Sequence, residues 1–303
     1  MKNKDKINGG AFMKALKIAS RINGKIENEA DIKKHRVSME RAARLVTPRN
    51  DVKCEAFTVG DILCERLIPN EQIRKDVAIL YAHGGGYMTG GIRYARLLGT
   101  KMALATGLCV YTFAYRLAPE HPYPAAIEDG QAVWEYLGQM GMRPENLFVA
   151  GDSAGGNLAL CLCQRLEKER KKLPRGLLLF SPWTDMTAES GSYIENASKD
   201  PVLTKKYVET AKAAYIPSGM DPVNEALSPL YGEMAGLPPC YIMAGRNGIL
   251  LDDSIRLKER IDSCGGRAVL DIEENGWHVY QQMPVHIAAM AMKRLGDYVA
   301  SEI

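Results

Sequence analysis

The chain has 303 residues, of which 46% are hydrophobic and 25% charged, and its formal net charge is +3 at pH 7. This composition excludes a disordered chain and permits one large hydrophobic core. Residues 1–50 contain 13 Lys or Arg against 5 Asp or Glu, a local charge of 13 − 5 = +8, with no aromatic residues alternating with the basic ones. A solvated helical face accounts for this charge better than nucleic-acid binding, so no nucleic-acid partner is expected. Attraction to anionic substrates or to a membrane surface stays open.

No stretch approaches the roughly 18 apolar residues of a membrane helix, and no signal-peptide core follows the first residues. A cytoplasmic protein without a transmembrane segment is therefore expected. The seven cysteines lack a disulfide-like spacing, which fits a reducing compartment. Cys161 and Cys163 face different directions in a predicted helix and make a poor metal pair. Neither a metal nor a cofactor is expected.

The hydrophobic pattern predicts an α/β fold, because strands and helices alternate from residue 76 onward. The predicted strands are an antiparallel pair over 54–68, then 76–82, 107–113, 146–150, 176–180, 240–244 and 267–272. The predicted helices are 92–106, 127–140, 153–170, 252–264 and 284–302. These elements predict a mostly parallel eight-stranded sheet with helices on both faces.

Two segments lie outside the alternation and are predicted to form a helical cap on a main domain of residues 51–303. In residues 1–50, an apolar stripe at helical spacing comprises Phe12, Leu16, Ala19 and Ile22. In the insertion at 186–225, Pro201, Thr204 and Pro217 bracket a short helix. Its apolar side chains Tyr207, Val208 and Tyr215 are expected either to line a pocket or to pack the cap.

A glycine-rich loop, His83-Gly84-Gly85-Gly86, follows the apolar strand over 76–82. Glycines let backbone N–H groups approach a developing oxyanion closely, as acyl transfer requires. We expect Gly85 and Gly86 to supply such N–H groups, with Gly84 as a substitute for one of them. A phosphate-binding loop or a plain turn is the alternative interpretation.

The sequence Gly151-Asp152-Ser153-Ala154-Gly155 follows a second apolar run, Leu147 to Ala150. A strand that enters a helix through Gly-x-Ser-x-Gly exposes the serine hydroxyl on a sharp turn. We therefore predict Ser153 as a nucleophile, with the N–H of Ala154 as a third oxyanion donor.

A general base for this serine is expected further along the chain. Of the five histidines, only His278 and His286 follow Ser153. His278 comes in a loop after the last predicted strand, where a base can face the serine turn. His286 falls inside the final helix and is expected to be a packing or surface residue.

The chain resembles the hormone-sensitive-lipase-like family of α/β-hydrolases from about residue 50 to the C-terminus. The resemblance is carried by His83-Gly84-Gly85-Gly86, Tyr115 to Ala126, the Ser153 motif, Ser181-Pro182-Trp183-x-Asp185, Leu237-Pro238-Pro239 and the region of His278. It implies an α/β-hydrolase fold, no cofactor, and hydrolysis of small carboxylic esters with Ser153 as nucleophile and His278 as base. Within Tyr115 to Ala126, Arg116 is expected to pair with a nearby carboxylate, and Tyr123 to be structural rather than a substrate contact.

One position departs from the family pattern. The resemblance implies a carboxylate after the seventh strand to orient the histidine, and Gly248 occupies that position. Three replacements are open: Asp252, expected instead at a helix N-terminus; Asp185, at the end of the sixth strand; and Glu273 with Glu274, expected to face solvent. Loss of such an acid lowers turnover about 10⁴-fold in a serine protease.

Three hypotheses follow from Gly248, and the sequence ranks them in this order. The first is an esterase with a relocated or water-replaced acid. The second is a hydrolase impaired because Gly248 is an acquired or engineered change. The third is a pseudo-hydrolase that binds a small ligand in the same pocket. The expected partner is a small-molecule ester substrate; a homodimer is left open, and lactone, thioester and amide substrates would use the same residues.

Overall fold

The computed structural model describes residue 26, residues 28–45 and residues 50–303. The predicted apolar stripe of residues 12–22 lies outside this part of the chain. Within it, eight α-helices and eight strands follow in the order α1 (Glu29–Leu45), β1 (Val52–Val59), β2 (Ile62–Pro69), β3 (Ala78–Ala82), α2 (Ile92–Thr106), β4 (Cys109–Phe113), α3 (Ala125–Gln139), β5 (Leu147–Asp152), α4 (Ala154–Lys168), β6 (Gly176–Phe180), α5 (Ser192–Glu195), α6 (Lys205–Tyr215), β7 (Cys240–Gly245), α7 (Leu251–Ser263), β8 (Ala268–Glu273) and α8 (His286–Glu302).

The eight strands form one sheet in the order β1-β2-β4-β3-β5-β6-β7-β8. The β1–β2 hairpin and the β2–β4 pair are antiparallel. All pairs from β4 onward are parallel, with Ala82 opposite Gly151 and Phe180 opposite Met243. The predicted leading hairpin and mostly parallel sheet are both confirmed.

The central strands are almost entirely apolar because helices cover both faces of the sheet. Every residue of β3, β5, β6 and β7 is buried. One face packs against α2 and α8 through residues such as Leu98 and Leu295. The other packs against α3, α4 and α7 through residues such as Val133, Leu158 and Leu257. The carboxyl ends of the parallel strands therefore meet at one edge, where loops gather.

The long connection between β6 and β7 carries α5 and α6. Helix α6 begins where the Thr204 side chain accepts the N–H of Tyr207 at 3.2 Å, and it ends at Tyr215, two residues before Pro217. The helix predicted between Thr204 and Pro217 is thus confirmed. No helix of the described residues is long and apolar enough to cross a membrane.

Candidate active site

Ser153 stands on the sharp turn between β5 and α4, with φ 54° and ψ −121°. Its N–H donates to the carbonyl of Phe180, and its carbonyl accepts the N–H of Trp183, both at 3.0 Å. A Cβ on Gly151 would overlap the backbone of Gly155. The two glycines thus allow a turn that holds the serine in a backbone conformation unfavourable for an L-residue.

The glycine loop after β3 faces this turn. Gly85 and Gly86 have φ values of 116° and 63°. Within the described chain, the N–H groups of Gly85, Gly86 and Ala154 donate to no protein acceptor. The first two of these residues line the same cleft as Ser153. These three backbone N–H groups are therefore unpaired within the described chain, and Gly85 and Gly86 share the cleft with the serine.

Gly84 does not fit the substitute role suggested by the sequence. Its N–H donates to Asp152 Oδ1 at 2.8 Å, and the same oxygen accepts the hydroxyl of Tyr81 at 2.5 Å. Gln282 donates to the other carboxylate oxygen at 3.2 Å. Asp152 is fully buried, and burial raises its pKa to about 6. This carboxylate therefore connects the glycine loop to the serine turn, and the Gly84 N–H is not available to an oxyanion.

His278 follows β8 and lines the cleft that contains Ser153. The side chain is 6% exposed, and burial lowers its pKa to about 3. The imidazole is accordingly neutral near pH 7 and able to accept a proton. Its Nδ1 is buried and has no hydrogen-bond partner among the described residues. The following residue, Val279, has φ 47° and donates its N–H to Ser181 Oγ at 3.3 Å.

Gly248 lies directly against this histidine. A Cβ built on Gly248 would be 3.2 Å from the backbone nitrogen of His278 and 3.5 Å from its Cα. A carboxylate on residue 248 would thus lie beside the histidine, as the family pattern implies. A different carboxylate is present here: Asp200, which no sequence motif indicated, accepts the backbone N–H of Ile249 at 3.0 Å, and the nearby backbone N–H of His278 lowers its pKa.

The replacements considered from the sequence have other partners. Asp252 lies in the first turn of α7 and accepts the N–H of Ser192 at 2.8 Å. Asp185 accepts hydrogen bonds from Arg256, at 2.6 Å, and from Tyr231, at 2.9 Å. Each of these carboxylates is thus bonded to residues other than His278 within the described chain.

The two glutamates before His278 also pair elsewhere. Glu274 is exposed and forms a 2.8 Å ion pair with Arg246. Glu273 is half-buried, with Arg294 at 3.5 Å. His286, the other histidine after the serine, is exposed at the start of α8. None of these three side chains lines the cleft.

The remaining sequence expectations concern packing. Arg116 pairs with Asp129 at 2.7 Å and with Glu128 at 3.0 Å, as predicted. Tyr215 is buried with its ring stacked 3.8 Å from that of Tyr87, and Tyr123 packs edge-on against Tyr215. Tyr215 therefore packs the interior instead of lining the pocket.

The cleft at Ser153 has a volume of about 80 Å³ and is lined on the α1 side by His35 and Met39. A smaller apolar pocket of about 10 Å³ adjoins the serine, and its lining includes Trp183, Tyr207 and Val208. The Tyr207 hydroxyl also contacts Thr89 Oγ1 at 2.7 Å and donates to the Gly85 carbonyl at 3.2 Å. Helix α6 is therefore bonded to the glycine loop and closes the pocket.

The sheet order, the serine turn after β5 and the histidine after β8 together define an α/β-hydrolase. A family profile described as the alpha/beta hydrolase fold matches residues 79–282. The chain belongs to this family, in its hormone-sensitive-lipase-like branch.

Relatives that match over most of their length are named as ester hydrolases. An esterase of Acinetobacter venetianus is 34% identical over 74% of this chain and 74% of its own length. An acetyl-hydrolase of Streptomyces hygroscopicus is 31% identical over 82% of this chain and 83% of its own. The crystal structure of an esterase from the bacterial hormone-sensitive lipase family aligns with a TM-score of 0.89 at 30% identity, covering 100% of both chains.

Proposed function

We propose that this protein is a serine carboxylesterase that hydrolyses short-chain carboxylic esters through an acyl-enzyme intermediate. The observation that carries the proposal is the serine turn: Ser153, at φ 54°, shares one cleft with His278 and with the loop of Gly85 and Gly86. The free N–H groups at this point match the needs of a tetrahedral oxyanion. The esterase and acetyl-hydrolase relatives support the same chemistry.

The reaction proceeds in two halves. Ser153 attacks the ester carbonyl carbon while His278 Nε2 takes the hydroxyl proton, and the N–H groups of Gly85, Gly86 and Ala154 hold the oxyanion. The bond to the alcohol oxygen then breaks as His278 returns the proton to the leaving group. Water, deprotonated by His278, releases the acid from Ser153 by the reverse path.

The preference for short acyl chains rests on the narrow apolar pocket beside Ser153. Its volume of about 10 Å³ and its wall of Trp183, Leu203 and Val208 leave room for no more than a small aliphatic group. On the wider side, His35 lies on α1, whose Arg36 donates to the carbonyls of Met88 and Ala118. We propose that helix α1 and the insertion that carries α6 together form the helical cap.

The test compares hydrolysis of p-nitrophenyl acetate, butyrate and decanoate by the wild type and by Ser153→Ala. We expect turnover of the two short esters and a loss of about 10⁴-fold or more in Ser153→Ala, because the nucleophile is gone. Turnover that persists in the variant would contradict the proposal. Absence of turnover in every protein would favour a pseudo-hydrolase that binds a small ligand.

The substitution Gly248→Asp tests whether the wild type is an efficient or an impaired hydrolase. The new Cβ would be 3.2 Å from the His278 nitrogen, a tight but accessible position. A gain of about 100-fold or more in kcat would identify the wild type as a catalyst that lacks its acid. No gain would mean that another group already orients His278.

A further inference from the structure

Asp200 is a buried carboxylate, 5% exposed, in the segment that leads into α6. Its Oδ1 accepts the N–H groups of Val202 and Leu203 at 2.9 and 3.0 Å. Its Oδ2 accepts the N–H of Ile249 at 3.0 Å, and the backbone N–H of His278 lies near enough to lower the pKa of the carboxyl group. One carboxylate therefore joins the cap insertion to the loop that follows β7 and lies near the loop that follows β8.

Further contacts hold this part of the insertion on the loop after β7. Asn196 Nδ2 donates to the carbonyls of Arg246 and Gly248, both at 3.0 Å. The Ser192 hydroxyl donates to the carbonyl of Ile249 at 2.8 Å. These hydrogen bonds hold the segment that carries Asp200 against Gly248, the position where the family pattern has its acid.

The negative charge of Asp200 has no cationic partner among the described residues. Lys199 donates to Asn196 Oδ1, and Arg246 pairs with Glu274. Burial accordingly raises the pKa of Asp200 to about 6, against the opposing effect of its backbone donors. A buried carboxylate left without a counter-ion is costly, so a cation formed beside it is stabilised.

Catalysis forms such a cation next to Asp200. His278 becomes an imidazolium when it accepts the serine proton, and burial alone disfavours that charge, since it lowers the pKa of the side chain. The buried Nδ1 of His278 has no acceptor among the described residues. The backbone N–H of the same residue lies close enough to the Asp200 carboxylate to lower the pKa of that group.

We propose that Asp200 is the positioning residue of His278, and that it supplies from the cap insertion the carboxylate that residue 248 does not provide. The inference rests on the proposed esterase function. In each half-reaction Asp200 orients the imidazole and stabilises the imidazolium, while the proton stays on His278 and returns to the leaving group or to the serine. Asp200 is then the relocated acid in the first of the three hypotheses from the sequence.

The experiment is a double-mutant cycle with p-nitrophenyl butyrate on Asp200→Asn, Gly248→Asp and the combined variant. We expect Asp200→Asn to lower kcat about 100-fold with KM changed less than about 3-fold. In the Gly248→Asp background, Asp200→Asn should lower kcat less than about 10-fold, because the carboxylate at residue 248 then orients His278. Asp252→Asn is the matched control and should leave kcat unchanged.

Two outcomes would overturn the inference. One is an Asp200→Asn protein that unfolds at the wild-type temperature and retains wild-type kcat. The other is an equal loss of kcat in the wild-type and Gly248→Asp backgrounds, which would indicate that Asp200 has only a structural role. Ser153→Ala is measured first, so that failure of the esterase function is recognised separately from failure of the role of Asp200.

A second measurement does not need turnover or a folded Asp200→Asn variant. The structure leaves His278 Nδ1 without a partner among the described residues, so the proposal requires the imidazole to turn until Nδ1–H reaches Asp200. In the wild type at neutral pH that hydrogen bond should give a low-field proton resonance in the NMR spectrum, absent from His278→Ala. The resonance should persist in Asp252→Asn and shift in Gly248→Asp. Its absence from the wild type would contradict the proposal.

Discussion

At the scale of single residues, Gly155 shows how closely the serine turn is packed. A Cβ on Gly155 would overlap the carbonyl oxygens of Ala82 and His83, and these backbone atoms cannot move without displacing the glycine loop. We expect Gly155→Ala to lower the melting temperature and to remove nearly all esterase turnover. Circular dichroism during heating and the p-nitrophenyl assay measure the two effects.

Gly138 offers the matched control for that substitution. It lies on the exposed side of α3, and a Cβ there meets no atom within 4 Å. Gly138→Ala should raise the free energy of unfolding by about 0.5–1 kcal/mol, because alanine loses less backbone entropy in a helix. Similar losses of stability in both variants would contradict the close approach at Gly155.

The site residues predicted from the sequence differ in how far their environment depends on neighbouring positions in the chain. Ser153, Gly85 and Gly86 belong to short motifs whose shape depends on glycines within a few positions, and the structure brings them to one cleft. Gly84 belongs to the same motif, yet its N–H is taken by Asp152, a contact between β5 and the loop after β3. That contact depends on strand pairing, which the motif itself does not contain.

At the scale of elements, helix α6 controls the size of the apolar pocket. Val208 lies on its buried side and lines the pocket with Ala211, whereas Lys206 is exposed on the same helix. We expect Val208→Phe to lower kcat/KM for p-nitrophenyl butyrate about 10-fold relative to the acetate ester, because the larger ring fills the acyl space. Lys206→Ala should leave the ratio unchanged. A parallel fall for both esters would exclude an acyl pocket at Val208.

The sequence locates the buried elements well and their ends less well. The strands over 176–180 and 240–244 are close to the observed Gly176–Phe180 and Cys240–Gly245, because continuous apolar runs mark strands covered on both faces. The helix predicted over 127–140 begins at Ala125, directly after Pro124. Helix ends depend on which backbone groups find partners, and periodicity does not contain that information.

At the scale of the whole molecule, buried carboxyl groups make stability depend on pH. Burial raises the pKa of Asp152 and Asp200 to about 6 and that of Asp253 to about 7, from an ordinary value of 3.8. The folded state therefore binds more protons than the unfolded chain between these values. The contribution of these groups to stability is present at low pH and is lost as the pH rises through 6 to 7.

Asp253 allows this pH dependence to be tested away from the cleft. Its Oδ2 accepts the N–H groups of Thr184 and Asp185 at 2.7 and 2.9 Å, while its buried Oδ1 has no partner in the described chain. Asparagine keeps one acceptor and removes the charge. Relative to the wild type, Asp253→Asn should gain roughly 1–3 kcal/mol of unfolding free energy between pH 5 and pH 8.

Urea unfolding at the two pH values measures this gain. Asp262→Asn, at an exposed position on the same helix, is the control and should show no such dependence. Parallel stability curves for Asp253→Asn and the wild type would show that Asp253 is ionised equally in the folded and unfolded states.

The sequence by itself determined the fold class, the serine turn, the glycine loop and the likeness to the hormone-sensitive-lipase branch. Each of these depends on residues near one another in the chain, where backbone geometry and apolar periodicity act directly. The tertiary structure alone decided which carboxylate is bonded to the loop of Gly248 and Ile249, near the backbone of His278. Asp200, Ile249 and His278 are far apart in sequence, and only the parallel order of β6, β7 and β8 places the loops after them and the inserted segment side by side.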